Sequence, residues 1–366
     1  MVVVLAAAHA GHLTSRQTTS WILAISLGSG LTCIVLSLWT RMPVITAWST
    51  PGAALLVTSL PFYNYGDAIG AFVLAAIATT AVGFSGMFGK LIARVPTGIV
   101  SAMLAGILFS FGTEMFQSLG VAPLVVSAVL VGYLVVKRFS ARYAVVCALG
   151  LGVLAAALSG RLRLSGLRLE LAMPQWTTPT FSLAAMIGIG LPLFIVTMAS
   201  QNAPGLAVLR AAGYRPNDRL LIGSTGLTSI GLAPLGCHAI NLAAITAAIC
   251  TNAEAHPDPR RRYVAGVVCG LFYLLVGLFG AGLLVLFTGL PKELIAAVAG
   301  VALLGALMSG LSGSMEQPDH REAAMVTLLV TASGLSLFNV GSTFWGLVLG
   351  LITHLVLAVG RRKPMS

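Results

Sequence analysis

The chain of 366 residues is 57% hydrophobic and only 8% charged, with a mean hydropathy of +0.96. Soluble domains carry about 25% charged residues, so no water-facing surface can be built from this composition, and most of the surface faces lipid. A secreted domain, a cytosolic enzyme and a nucleic-acid binder are excluded, even though the net charge is +11.

A spanning helix takes about 20 apolar residues, and apolar runs separated by turn and charge clusters follow one another along the chain. They lie at 17–38, 43–60, 66–89, 96–117, 121–137 and 141–160. After a polar stretch they resume at 181–209, 219–231, 234–250, 263–287, 293–312, 322–340 and 343–359, with a stub at Met1–Ala8 before them all. If the stub ends a span that starts in the cytoplasm, the loops alternate sides, and Arg16, Arg161, Arg163, Arg168 and Lys292 fall outside. Every other Lys and Arg, from Arg41, Lys90 and Arg94 through Arg142 to Arg361, Arg362 and Lys363, then falls on the cytoplasmic side together with the C-terminus. That positive-inside bias supports the span count and explains the basic charge without an acidic partner. Cys33, Cys147, Cys237, Cys250 and Cys269 all sit in apolar segments without close pairing in sequence, and read as small hydrophobes.

Gly30-Leu31-Thr32-Cys33-Ile34 recurs as Gly226-Leu227-Thr228-Ser229-Ile230, Val4–Ala8 parallels Val208–Ala212, and the stretch from Pro43 parallels that from Pro234. A duplicated unit with an odd number of spans must be inverted in the membrane, the arrangement of many secondary transporters, with the site where the repeats meet. The second copy has a long run, 181–205, before the part that Val4–Ala8 matches. The expectation is therefore that the chain starts inside its first helix, short of roughly 15 to 20 residues of that span.

Two runs do not read as continuous helices. Pro43–Trp48 is β-prone and is followed by Ser49-Thr50-Pro51-Gly52, a helix start with a hydroxyl cap and Pro in the first turn. Ala233–His238 reads the same way, as an extended stretch leading into a helix from Ala239-Ile240-Asn241. Extended backbone at membrane depth is tolerated only where protein or a cavity satisfies it. Two half-helix N-termini with free amides make an anion site without a buried cation, which suits a small carboxylate held by Ser49, Thr50, His238 and Asn241 with Gly52 in the turn. The same residue types also cap and break helices without any ligand, so that alternative stays open. Gln201 and Asn202 form a third polar cluster that must face the interior, as ligands or as helix-to-helix bonds. Trp48, Phe194 and Met198 offer an apolar wall for an aromatic ring, or plain packing.

Most acids, among them Asp218, Glu254, Asp258, Glu293, Glu316, Asp319 and Glu322, are interfacial by position, and Glu170 lies in a long loop. His238 is thus the first candidate to bind the carboxylate and carry a coupled proton, with Glu114 second and His354 third. Gly310-Leu311-Ser312-Gly313 matches an intramembrane protease pattern, but so does Gly83-Phe84-Ser85-Gly86 in a chain of 41 glycines. His9 and His12 lack acidic neighbours for a metal, no cofactor is expected, and Gly66/Gly70, Gly266/Gly270 and Gly346/Gly350 read as close helix packing.

Residues Leu191–Asn202, Pro204–Tyr214, Met42–Gly52 and His238–Cys250 resemble the benzoate:proton symporter family, and the likeness runs over essentially the whole chain. The resemblance implies a multi-pass importer of benzoate with protons in the bacterial inner membrane, and leaves a homodimer open. More distantly the layout is similar to the uracil permease fold. That implies an all-α transporter of fourteen spans in two inverted sevens, its third and tenth spans broken into strand and half-helix. The implied organisation is repeat one at 1–160 (core 1–89, gate 96–160) and repeat two at 181–359 (core 181–287, gate 291–359). Where permeases of that fold carry carboxylates, Gln201, Asn202, His238 and Asn241 stand here. The alternative is a permease for another small anion or a nucleobase.

Overall fold

The computed structural model describes residues 1–92, 96–140, 143–162, 171–251, 255–280, 282, 289–335, 337 and 342–358. Of the residues weighed above for topology, Arg94, Arg142, Arg163, Arg168, Glu170, Glu254, Arg361, Arg362 and Lys363 lie outside the described ones.

The first half of the chain contains α1 (Val2–Ala10), α2 (Ser15–Thr40), β1 (Thr46–Trp48), α3 (Thr50–Ser59), α4 (Tyr65–Ser85), α5 (Phe88–Ile92), α6 (Thr97–Val121), α7 (Pro123–Phe139) and α8 (Ala144–Leu158). The second contains α9 (Leu183–Arg210), then α10 (Asp218–Leu232), β2 (Ile240–Leu242), α11 (Ile245–Cys250), α12 (Tyr263–Leu278), α13 (Lys292–Met315), α14 (Arg321–Ala332) and α15 (Ser342–Ala358). Among the described residues, six helices are long and apolar enough to cross a bilayer: α2, α4, α6, α9, α13, and α12 with its preceding turn.

The two halves pack on each other in a matched way. α12 lies along α2 and α10 along α4, while α6 lies along α13. Gly30 faces the backbone of Gly270 on α12, and its sequence counterpart Gly226 faces the backbone of Thr80 on α4. β1 pairs antiparallel with β2 in the register Thr46↔Leu242, Ala47↔Asn241 and Trp48↔Ile240. Bonds from Ala243 N–H to the Ile45 carbonyl (2.9 Å) and from Ser49 N–H to the Ala239 carbonyl (3.2 Å) extend the ladder. Each strand is also anchored to the helix before it at equivalent positions. Thr46 N–H donates to Cys33 Sγ (3.1 Å), and Ile240 N–H donates to Ser229 Oγ (2.8 Å). Cys33 and Ser229 are the same position in the repeated pentapeptide.

Two expectations need correction, and the cysteines take a shared place. The second break lies later than expected: Ala233–Leu235 continues α10 as a 3₁₀ turn, the strand forms at Ile240–Leu242, and the helix begins only at Ile245. Gly236 ends the 3₁₀ turn at φ 106°, where an added Cβ would stand 3.0 Å from the Trp21 backbone. A side chain fits neither that conformation nor that space. Gly66 and Gly70 do accept a close neighbour, but it is the extended segment at Thr178–Thr180 rather than a helix. Cys33, Cys250 and Cys269, far apart in sequence, meet in one cluster. Cys33 and Cys269 are free thiols.

At Gly270 a Cβ would sit 2.6 Å from the Gly30 carbonyl oxygen, and overpacking of this kind costs about 1–3 kcal/mol. Gly270→Val is expected to lower the melting temperature of the purified protein by several degrees. Gly150→Ala, where a Cβ meets nothing within 4 Å, should leave it unchanged.

Candidate functional site

The crossing of β1 and β2 places the start of α3 against α9. Ser49 caps α3, its Oγ accepting from Gly52 N–H at 3.0 Å, and its carbonyl accepts from Ala53 N–H at 2.8 Å. Thr197 of α9 donates its hydroxyl to Ser49 Oγ at 3.2 Å. Pro51 has no N–H, which leaves the Thr50 amide as the remaining donor of a first turn that carries partial positive charge. Gly52 lets α9 seat directly on this turn, since a Cβ there would be 2.6 Å from Leu193 Cδ1.

α9 is not a uniform α-helix. Met186–Gly190 and Met198–Asn202 are π-helical turns, each directly ahead of a segment with proline in its first turn. Pro192 and Pro204 remove two i→i−4 bonds, and π-turns of this kind recur at functional sites. Leu193 against Gly52, Thr197 on Ser49 and Gly205 against Leu242 form one row at helical spacing. Gln201 falls on the same row.

His238 is 1% exposed. Trp21 Nε1 donates to its Nδ1 at 3.0 Å, and its Nε2 stands 2.9 Å from the Ser49 carbonyl oxygen. An indole N–H only donates and a carbonyl only accepts, so the ring is neutral with its proton on Nε2. The rings of Trp21 and Phe72 meet it edge-on. Asn241, with its amide turned to suit its neighbours, accepts from Ser49 N–H (3.0 Å) and donates to the Leu242 carbonyl (3.1 Å). Asn202 accepts from Leu242 N–H at 3.0 Å and donates to Met198 Sδ at 3.4 Å.

Thus three residues expected to face a carboxylate, His238, Asn241 and Asn202, are committed to the backbone of the crossing. The reason is physical: each strand has peptide groups that no lipid can satisfy. Gln201 and Thr50 are different. Both are half-buried, and neither side chain makes a hydrogen bond among the described residues.

Beside this row lies a cavity of about 460 Å³ between α9, α6 and α13, lined by Phe194, Met198 and Ser200 on one wall and Ser101, Leu104 and Ser309 on the other. Among the described residues, no Lys, Arg, Asp or Glu lines it. Phe194 also borders the narrow gap under His238. Trp48 is elsewhere: its ring packs edge-on against Tyr273 of α12 at 5.6 Å. Glu114 lines a second crevice of about 610 Å³, with His9 and Lys292, at the opposite end of α6 and α13. His354 pairs with His320 at 4.6 Å rather than with Ser312, and Gly310 and Gly313 pack on Ser101. Among the described residues no cluster suits a metal. The sequence reading passed over Trp21 altogether, because an indole in an apolar run carries no periodic signal. Thr197 stands four residues before Gln201, and that spacing could have found it.

The chain matches the family model described as benzoate membrane transport protein over residues 1–356. It is 42% identical over 344 residues to the inner membrane protein YdcO of Escherichia coli (strain K12), covering 94% of this chain and 88% of that one. It is 39% identical over 357 residues to the benzoate membrane transport protein of Acinetobacter baylyi, covering 98% and 91%. Among solved structures it matches SLC26A9 with a TM-score of 0.60 at 16% identity, over 100% of this chain and 66% of that one. It matches the transmembrane domain of the cyanobacterial bicarbonate transporter BicA with a TM-score of 0.53 at 13% identity, over 98% and 97%. These likenesses show the fold, and they correct the expected one: the structures matched are SLC26A9 and BicA rather than a uracil permease in particular.

Two substitutions test the division of labour at the crossing. Asn202→Ala leaves Leu242 N–H buried without its acceptor, a cost of about 1–3 kcal/mol. It should lower the melting temperature clearly, while Gln201→Ala should leave it unchanged.

Proposed function

The chain belongs to the benzoate membrane transport protein family, and on that premise we propose that it imports benzoate, or a closely related aromatic carboxylate, together with a proton across the bacterial inner membrane by alternating access. The observation that carries the site is the 460 Å³ cavity between α9, α6 and α13. It is apolar where a ring would sit, bears hydroxyls on both walls, and among the described residues has no fixed charge to trap the anion. Binding sites for small organic molecules share this mix of apolar surface and few polar groups, at about 300–1,000 Å³.

In this reading the ring packs between Phe194 and Met198. Its carboxylate meets the side-chain amide of Gln201, the Thr50 hydroxyl and the remaining first-turn amide of α3. Trp48, Ser49, Gly52, His238, Asn202 and Asn241 support the site from behind. The matched packing of the two halves, with Cys33 and Ser229 anchoring equivalent strand positions, supports two inverted repeats, 1–160 and 181–359, each divided into core and gate. Two crevices at opposite ends of the same gate helices, α6 and α13, are what alternating access requires. The positive-inside bias sets the Ser101 and Ser309 end toward the cytoplasm and leaves the Glu114 crevice outside. Glu114, exposed in that crevice, is the group proposed to take up the coupled proton.

Vesicles containing the purified protein should accumulate labelled benzoate under an imposed inward proton gradient, with substituted benzoates competing and sulfate or uracil not. Effective competition by either of the last two would support the alternative of another small anion or a nucleobase. A hydrogen bond to a charged group contributes about 1.5–3 kcal/mol, so Gln201→Ala should raise KM at least about tenfold. Glu114→Gln should abolish the response to the gradient while benzoate exchange continues.

A further inference from the structure

Ser49 is gripped at every polar atom. Its N–H goes to Ala239, its hydroxyl to Gly52 and Thr197, and its carbonyl to Ala53 and His238. Thr197 ties this grip to α9, and His238 carries it to α2, because Trp21 holds its far nitrogen. We infer that Trp21 and His238 are a positioning pair that fixes the first turn of α3 for the substrate, and that His238 keeps its neutral Nε2–H tautomer throughout transport, so the coupled proton travels elsewhere.

The chemistry follows from the partners. A second proton on Nδ1 would set an imidazole N–H against the indole N–H across 3.0 Å, which forces the two apart. Among the described residues, no acid stands by to hold an imidazolium. The titratable side chains beside the ring are Tyr65, whose indole neighbour is also Trp21, and Cys237, adjacent in sequence and buried. The charged residues of the packed helices sit at helix ends. Asp67 opens α4 and is bonded by Thr180, Arg16 lies in the first turn of α2, and Arg210 of α9 pairs with Asp218 of α10, next to Arg219.

The transport readout rests on the benzoate reading, whereas a spectroscopic one does not. In protein labelled with ¹⁵N-histidine in lipid nanodiscs, the signal missing from His238→Gln should show the neutral Nε2–H tautomer, unchanged between about pH 5 and about pH 8, the window in which histidine ordinarily titrates. An imidazolium or an Nδ1–H tautomer appearing in that signal would overturn the inference, even if wild-type vesicles failed to take up benzoate. In uptake, Trp21→Phe and His238→Gln should each raise KM about tenfold, equivalent to about 1.4 kcal/mol, and leave the pH profile unmoved. His238→Ala should lose more than His238→Gln. Loss of the pH profile in His238→Gln would assign the proton to the ring and overturn the proposal.

Discussion

Everything about this molecule's centre follows from one constraint, that extended backbone inside a bilayer must find its hydrogen bonds within the protein. Two three-residue strands are too short to satisfy each other. The structure closes the deficit with side chains: Cys33 and Ser229 accept from the first residue of each strand, Asn202 accepts from the last residue of β2, and His238 and Asn241 hold Ser49. Polar residues that are rare and costly in lipid thereby become the frame of the site. Among the described residues of the crossing, the side chains of Gln201 and Thr50 make no hydrogen bond, and these are the groups proposed to meet the ligand.

In the proposed site, no charged side chain among the described residues lines the cavity. An anion bound by an amide, a hydroxyl and a helix N-terminus is held by dipoles whose strength is moderate, so that it can also leave. A guanidinium in the same place would bind the carboxylate tightly in either orientation of the transporter, and tight binding that is equal in both states shifts nothing. In the proposed reading the apolar ring gains the remaining affinity against Phe194 and Met198, whose surfaces line the cavity.

Much of this was legible in the sequence. The strand and half-helix at Pro43–Gly52 were readable because hydroxyl, proline and β-prone residues stand in the order that a mid-membrane helix start needs. The repeated pentapeptide pointed to the matched packing, and its fourth position is the anchor in both copies. The second break was placed too early because Pro234 and Gly236 look like an opening, whereas they end α10 as a 3₁₀ turn. That His238, Asn202 and Asn241 bond the backbone of the crossing was not legible, for a different reason. Sequence shows that a polar side chain must face inward but not whether a peptide group or a ligand waits there. Trp48 went to Tyr273 because a strand aims its side chains by pairing register, which depends on a segment about 190 residues away. Trp21 is decided by tertiary contact alone.

The central claim is that benzoate binds beside the α3 first turn, between α9 and α6. Crystals soaked with 4-iodobenzoate locate the ligand through the anomalous signal of iodine. The account predicts one iodine peak inside the cavity, in van der Waals contact with Phe194 or Met198 at about 4 Å, with the carboxylate directed at Gln201 and Thr50. A peak confined to the crevice of Glu114 and Lys292, or on the Trp48 and Tyr273 side of the strands, would contradict it.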